Sequence, residues 1–142
     1  MAFKRETGRP RLFPLTNATS VDYNKGDLIY ANGSGAYIPA DATSGDHYGI
    51  AAEELPSTDA RYTTAGEIAV DILSPGDLIR CDDVDGTLTA AMQGTTMDLT
   101  NAESVNAAGS SKLVVTCVKY ISATEGIFMI NALANVYRVA TT

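Results

Sequence analysis

His47 is the one imidazole this chain can bring to a Ser-His-Asp or Cys-His site, and it sits in Ser44-Gly45-Asp46-His47-Tyr48, a loop entering a strand. A lone loop histidine reads as a surface residue, because nucleophilic catalysis needs a base held by a third group. There is no second histidine for a metal pair and no Cys-x-x-Cys, which excludes the usual structural zinc spacing. Asp82, Asp83 and Asp85 form the densest carboxylate cluster, with oxygen ligands suited to a hard cation. The EF-hand spacing fails there: Cys81 occupies the first position and Met92 the twelfth. Asp85-Gly86 is also what a tight turn requires, so a solvated turn is the favoured reading. Glu53-Glu54 and Asp59 show no spacing that would set two acids across a cleft. Gly33-Ser34-Gly35 lacks the lysine and following helix of a phosphate loop and reads as a turn. The expectation is a chain with no catalytic residues, no metal and no cofactor.

The remaining candidate chemistry is recognition. Lys4, Arg5, Arg9 and Arg11 stand against Glu6 alone in the first twelve residues, a net charge of +3. The rest of the chain carries 6 basic and 16 acidic residues. Pro10 and Pro14 remove amide donors and turn their predecessors away from helix. Residues 1–14 therefore read as an extended basic arm. A solvated disordered tail and a nucleic-acid contact compete with the favoured reading, that it orders on an acidic protein partner. Phe3 and Phe13 would be its apolar anchors, and Lys4, Arg5, Arg9 and Arg11 its charged contacts. The whole chain has a net charge of -7, which argues against a general nucleic-acid binder. No segment approaches a transmembrane span or the apolar run of a signal peptide, so no membrane partner is expected and synthesis in a cytoplasm is the working assumption. Cys81 and Cys117 lie in apolar strand-like settings and are expected as buried, reduced thiols. Asn17-Ala18-Thr19 and Asn32-Gly33-Ser34 match the glycosylation pattern, as matches arise by chance in a chain rich in Ser and Thr.

The elements behind that arm are β. With 142 residues the chain has room for one domain, predicted over 15–142. Gly26-Asp27-Leu28-Ile29-Tyr30 reads as a strand, Asn32-Gly33-Ser34-Gly35 as a hairpin turn, and Ala36-Tyr37-Ile38 as the return. Tyr48 to Glu53 and Glu67 to Leu73 follow, the latter alternating Ile68, Val70 and Ile72 against Glu67, Ala69 and Asp71. Gly76-Asp77-Leu78-Ile79 then repeats Gly26-Asp27-Leu28-Ile29. Asp83-Val84-Asp85-Gly86 and Thr87-Leu88-Thr89-Ala90 take the places of the first turn and its return strand. Lys112 to Ile121 and Gly126 to Ile130 stand where Tyr48 to Glu53 and Gly66 to Val70 stood. Two similar four-strand halves, about 20–73 and 74–138, are predicted. The insertion 91–111 has capping-box spacing at Thr100-Asn101-Ala102-Glu103 and predicts one short helix ending near Gly109. Leu113 to Val118 and Ile127 to Ile130 are apolar at consecutive positions, so both faces of each strand need cover, from the insertion, a closed barrel wall or a second subunit. Tyr23, Tyr30, Tyr37 and Tyr48 are read as packing residues.

On Gly26-Asp27-Leu28-Ile29, Gly76-Asp77-Leu78-Ile79, Tyr48-Gly49-Ile50-Ala51-Ala52 and the two late apolar strands, residues 20–138 resemble the small head-decoration, or cement, proteins of tailed bacteriophages. The resemblance implies a small antiparallel β-barrel or sandwich, tulip-like, with an N-terminal arm laid on the capsid. It further implies a virion protein on the capsid exterior, commonly a trimer, whose partner is the major capsid protein. Members of that group have no catalytic residues to carry over. Two other functions compete: another virion β module, such as a tail-tube, fibre-base or adhesion protein, and a metal-dependent enzyme built on Asp82, Asp83 and Asp85.

Overall fold

The computed structural model describes residues 3–41, 49–109, 112 and 114–131. His47, Tyr48, Leu113 and everything after Asn131 lie outside the described residues, so the readings placed on them, including the end of the second half, do so too.

The all-β expectation holds. Strands β1 (Phe3–Arg5), β7 (Leu78–Cys81), β11 (Glu125–Ile130), β10 (Val115–Ser122), β8 (Thr96–Asn101) and β9 (Ser104–Asn106) form a six-stranded antiparallel sheet in that order. Strands β2 (Leu12–Thr16), β6 (Glu67–Ile72), β5 (Gly49–Ala51), β3 (Leu28–Ala31) and β4 (Tyr37–Pro39) form a five-stranded one. An isolated bridge from Asn17, just past β2, to Tyr37 on β4 brings the two edges of the second sheet together and curls it toward a barrel.

Side-chain alternation builds two cores on the two faces of the curled sheet. Leu28 and Ile50 point to the larger core, which they share with Phe3, Ile79, Phe128 and Val115 of the six-stranded sheet. Ile29, Ala51, Ile68 and Val70 point the other way, onto Tyr23 and Leu55. The Tyr23 hydroxyl satisfies itself inside that second core, donating to the Tyr37 carbonyl at 2.5 Å and accepting from the Ala18 amide at 2.9 Å. Consecutive buried residues such as Leu28 and Ile29 are thus explained within one chain.

The Gly-Asp repeat is real at the level of a turn. Gly26 and Gly76 adopt φ of 98° and 94°, which glycine reaches without steric cost. In each turn the aspartate carboxylate caps the residue three positions back: Asn24 N–H to Asp27 Oδ2 at 3.0 Å, Ser74 N–H to Asp77 Oδ2 at 2.8 Å. The glycine amides then donate to Ala51 and Ile130, and these return bonds to the Asp27 and Asp77 carbonyls. This equates β5 with β11, whereas the sequence spacing had equated β11 with the strand now seen as β6.

The likeness stops there. β3 hairpins into β4, but after β7 the chain through Thr87-Leu88-Thr89 forms no strand and reaches a single 3-10 turn at Ala90–Met92. The expected second return strand is therefore absent from the described residues. The insertion is also corrected: the predicted helix is the β8–β9 hairpin. The Asn101 Oδ1 accepts the Glu103 amide at 2.8 Å, a side-chain turn that competes with helix capping. Met97 and Leu99 alternate into the core, a period-two signal that outweighs the capping spacing. Among the described residues the one α-helix is α1 (Ala60–Thr63), capped by Asp59, whose Oδ1 accepts the Arg61 amide at 2.9 Å. Val118 and Ile121 of β10 remain 44% and 37% exposed beside two register shifts, so no described part of this chain covers them fully.

Candidate functional site

The basic leader is not an appendage. Phe3, Lys4 and Arg5 pair antiparallel with Cys81, Arg80 and Ile79 as the edge of the six-stranded sheet. Leu12 to Thr16 pair with Asp71 to Glu67 as the edge of the five-stranded one. One short segment therefore staples both sheets. Alternation along β1 sends Phe3 and Arg5 inward and Lys4 outward.

Phe3 is 1% exposed, inside the larger core. Arg5 forms a two-pronged bond with Asp71, at 2.9 and 2.8 Å, and a third to the Ile72 carbonyl at 2.8 Å. Its side chain is 5% exposed. The Arg11 amide also donates to Asp71, at 2.9 Å, and the Arg11 guanidinium reaches Asp77 at 2.8 Å. Burial works to raise the Asp71 carboxyl, but the Arg5 and Arg11 bonds outweigh it and hold it below the usual range. The hydrogen bonds to Asp71 hold the Arg5 guanidinium above its ordinary value. Glu6 is bound by Arg80, whose other prong takes Glu125 at 2.9 Å.

Of the six anchors expected to face a partner, Phe3 and Arg5 are thus consumed by the chain's own body, whereas Arg11 pairs with Asp77 but keeps 52% of its side chain exposed. Sequence could not show this, since the carboxylates involved lie some 66 residues away. The expected anchors that the leader still presents to solvent are Lys4, Arg9, Arg11 and Phe13, the last at 59% exposure, and Leu12 beside Phe13 is 61% exposed. A groove of about 470 Å³ runs beneath it, with Leu12, Ile50 and Ala51 on its walls and Lys4 and Lys25 at its rim.

Hydrogen bonds fix how the β2 edge is presented. Ile72 N–H donates to the Arg11 carbonyl and Asn17 N–H to the Gly66 carbonyl, so residues 11, 13, 15 and 17 turn their backbone groups toward β6. Leu12, Pro14 and Thr16 turn theirs outward, and proline deletes the middle donor of the three. An outward edge position is where a strand tolerates proline, and it blunts pairing with another strand. Contact along this edge is therefore made by side chains.

The other candidates resolve simply. Asp83 accepts from the Ser104 hydroxyl at 3.0 Å and Asp85 from the Thr100 hydroxyl at 2.9 Å, so this acidic turn is bonded to the β8–β9 hairpin. Among the described residues no three His, Cys, Asp or Glu side chains are grouped to hold a metal ion. Cys81 and Cys117 are free and buried, and burial pushes the Cys81 thiol up to about 11. Asn17 is fully buried, with its amide bonded to the Arg61 carbonyl at 3.0 Å and its oxygen to the Gly66 amide at 3.1 Å, which leaves no room for a glycan. Among the described residues no helix is long and apolar enough to cross a membrane.

Sequence reading missed the Arg61 cluster, in which the guanidinium meets Asp59 at 2.9 Å and Glu53 at 3.0 Å, and the acidic cleft around Asp27. The only advance signal for the cleft was the repeated Gly-Asp pair. Comparison with protein-family models and with curated proteins finds no match for this chain.

Proposed function

We propose that this chain is a structural virion protein that decorates the outer surface of a phage head, with the major capsid protein as its partner and a homo-oligomer, favoured as a trimer, as its working form. The observation that carries the reading is the pair Leu12 and Phe13, both about 60% exposed on one edge strand, next to the exposed cations Lys4 and Arg9. Alternation sends Leu12 and Phe13 to opposite faces of β2, so this edge, which proline keeps from strand pairing, offers one large apolar side chain on each side for docking onto a preformed protein surface. The exposed cations favour an acidic one. A staple that ties both sheets together transmits load from that edge to the whole body, which suits a protein whose task is to hold position. Many weak contacts around a shell add up through multivalency.

The test mixes purified protein with heads that lack it, then measures co-sedimentation and survival of the heads on heating. Leu12→Ser with Phe13→Ser is the informative variant, because both side chains are exposed and the body keeps its fold. It should lose co-sedimentation. Deleting residues 1–12 is unsuitable, since it would strip Phe3 from the core and Arg5 from Asp71. Wild-type protein that leaves head survival unchanged, or a double variant that binds as well as wild type, would refute the proposal.

A further inference from the structure

The junction between the two sheets holds an acid that meets no counter-charge among the described residues. Asp27 is 3% exposed. Its Oδ2 accepts the Asn24 amide at 3.0 Å, and its other oxygen receives no hydrogen bond or cation from any described residue. The carboxylate lines a cleft of about 290 Å³ together with Asp22, Asn24, Pro39, Ala102 and Glu103. A bond from the Leu28 amide to the Ala102 carbonyl, at 2.9 Å, fixes the two walls. Burial pushes Asp27 up to about 6, and the nearby negative charge of Glu103 adds to the rise. An ionised carboxylate in this position lacks the partner that buried charges ordinarily have.

The chain itself shows what such a carboxylate takes. Asp77 holds the same place in the second Gly-Asp turn, and it is met by the guanidinium of Arg11 at 2.8 Å and that of Arg5 at 3.5 Å. The first turn has the carboxylate and two further acids but, among the described residues, no guanidinium. Meanwhile Arg9 stands exposed on the Gly8-Arg9-Pro10 loop, with no hydrogen bond or ion pair among the described residues. An exposed cation, and a cleft whose described lining holds acids and no cation, are complementary in charge between copies.

We propose that the cleft formed by Asp22, Asp27 and Glu103 is a guanidinium-binding site that receives Arg9 of a second copy of this chain. The contact is heterologous: loop to cleft, not patch to the same patch. It leaves Leu12 and Phe13 free and does not depend on what they dock against. The carboxylates are not grouped as metal ligands, so a guanidinium, with its fork of donors, suits the cleft better than a metal ion.

The test is sedimentation velocity of the full chain over a concentration series, at low and high salt. Arg9 and Glu103 are both exposed, so substitutions there spare the fold. Wild type should associate, and association should weaken with salt. Arg9→Glu and Glu103→Arg should each weaken it by about tenfold or more. The combined Arg9→Glu, Glu103→Arg chain should recover part of the loss, because the swapped pair again attracts while Asp22 and Asp27 still repel. A wild type that stays monomeric throughout, single variants that associate like wild type, or a combined variant no better than the singles would each overturn the proposal. Association driven by added Ca²⁺ and indifferent to Arg9→Glu would do the same, by assigning the cleft to a metal.

Discussion

Asp27→Asn is expected to stabilise the folded chain at neutral pH, although it removes a carboxylate that caps a turn. Burial raises the folded-state value to about 6 from an ordinary 3.8. Each unit corresponds to about 1.4 kcal/mol, so an ionised Asp27 costs the fold on the order of 3 kcal/mol above pH 6. The sign follows from proton binding. Between pH 3.8 and 6 the folded chain holds a proton that the unfolded chain has released, so this group's contribution to stability falls as pH rises through that window. Below the window both states are protonated and the cost vanishes. Asparagine keeps an oxygen for the Asn24 amide but adds an NH₂ that needs a partner, which returns about 1 kcal/mol or more. A net gain of about 1–2 kcal/mol is expected at pH 7.5, or several degrees in Tm for a chain of this size. The assay is urea unfolding of both chains at pH 7.5 and pH 4.5, with the gain shrinking sharply at the lower pH. Asp77→Asn is the internal control, an identical change in an equivalent turn. There the carboxylate faces Arg11 and Arg5, so its loss should destabilise by about 0.5–1 kcal/mol. If Asp27→Asn destabilises at pH 7.5, or if its gain is the same at both pH values, the argument from an uncompensated buried charge is wrong.

The remaining predictions concern the staple and the cores. Phe3→Ala opens a cavity in the larger core and should cost about 3–5 kcal/mol in denaturant unfolding, a loss that a detachable arm would not produce. Arg5→Met strands the buried Asp71 and should cost about 3–5 kcal/mol at pH 7. Because Asp71 sits below its usual range beside Arg5, the wild-type advantage over this variant should be full at neutral pH and fade in acid, as the carboxylate takes a proton. Gly49→Ala drives a new Cβ into the Asp71 carbonyl oxygen and to within 2.5 Å of Val70 Cγ1, and should lower stability by about 1–3 kcal/mol on thermal unfolding. Thiol labelling of the native chain should leave Cys81 unmodified for as long as the fold persists and modify it promptly in denaturant.

Local signals carried the β reading. Period-two alternation over Glu67–Ile72 and the glycine turns at Gly26 and Gly76 constrain neighbouring residues only, and both survive in the fold. Thr100 to Glu103 misled because the same short spacing serves a helix cap or a side-chain turn. The choice fell to the burial of Met97, Leu99 and Val105 from a hairpin. The basic leader shows the same limit more sharply. Its charges and prolines are legible in order, but whether they face a stranger or the chain's own carboxylates depends on pairings across more than sixty residues. Likewise Asp27 and Asp77 are the same residue in the same tetrad. One became buried without a cation and the other paired, because only the assembled sheets decide which side chains reach each turn. Composition and short-range pattern set the class of structure and the chemistry on offer, while the partner of each charge is fixed by long-range packing.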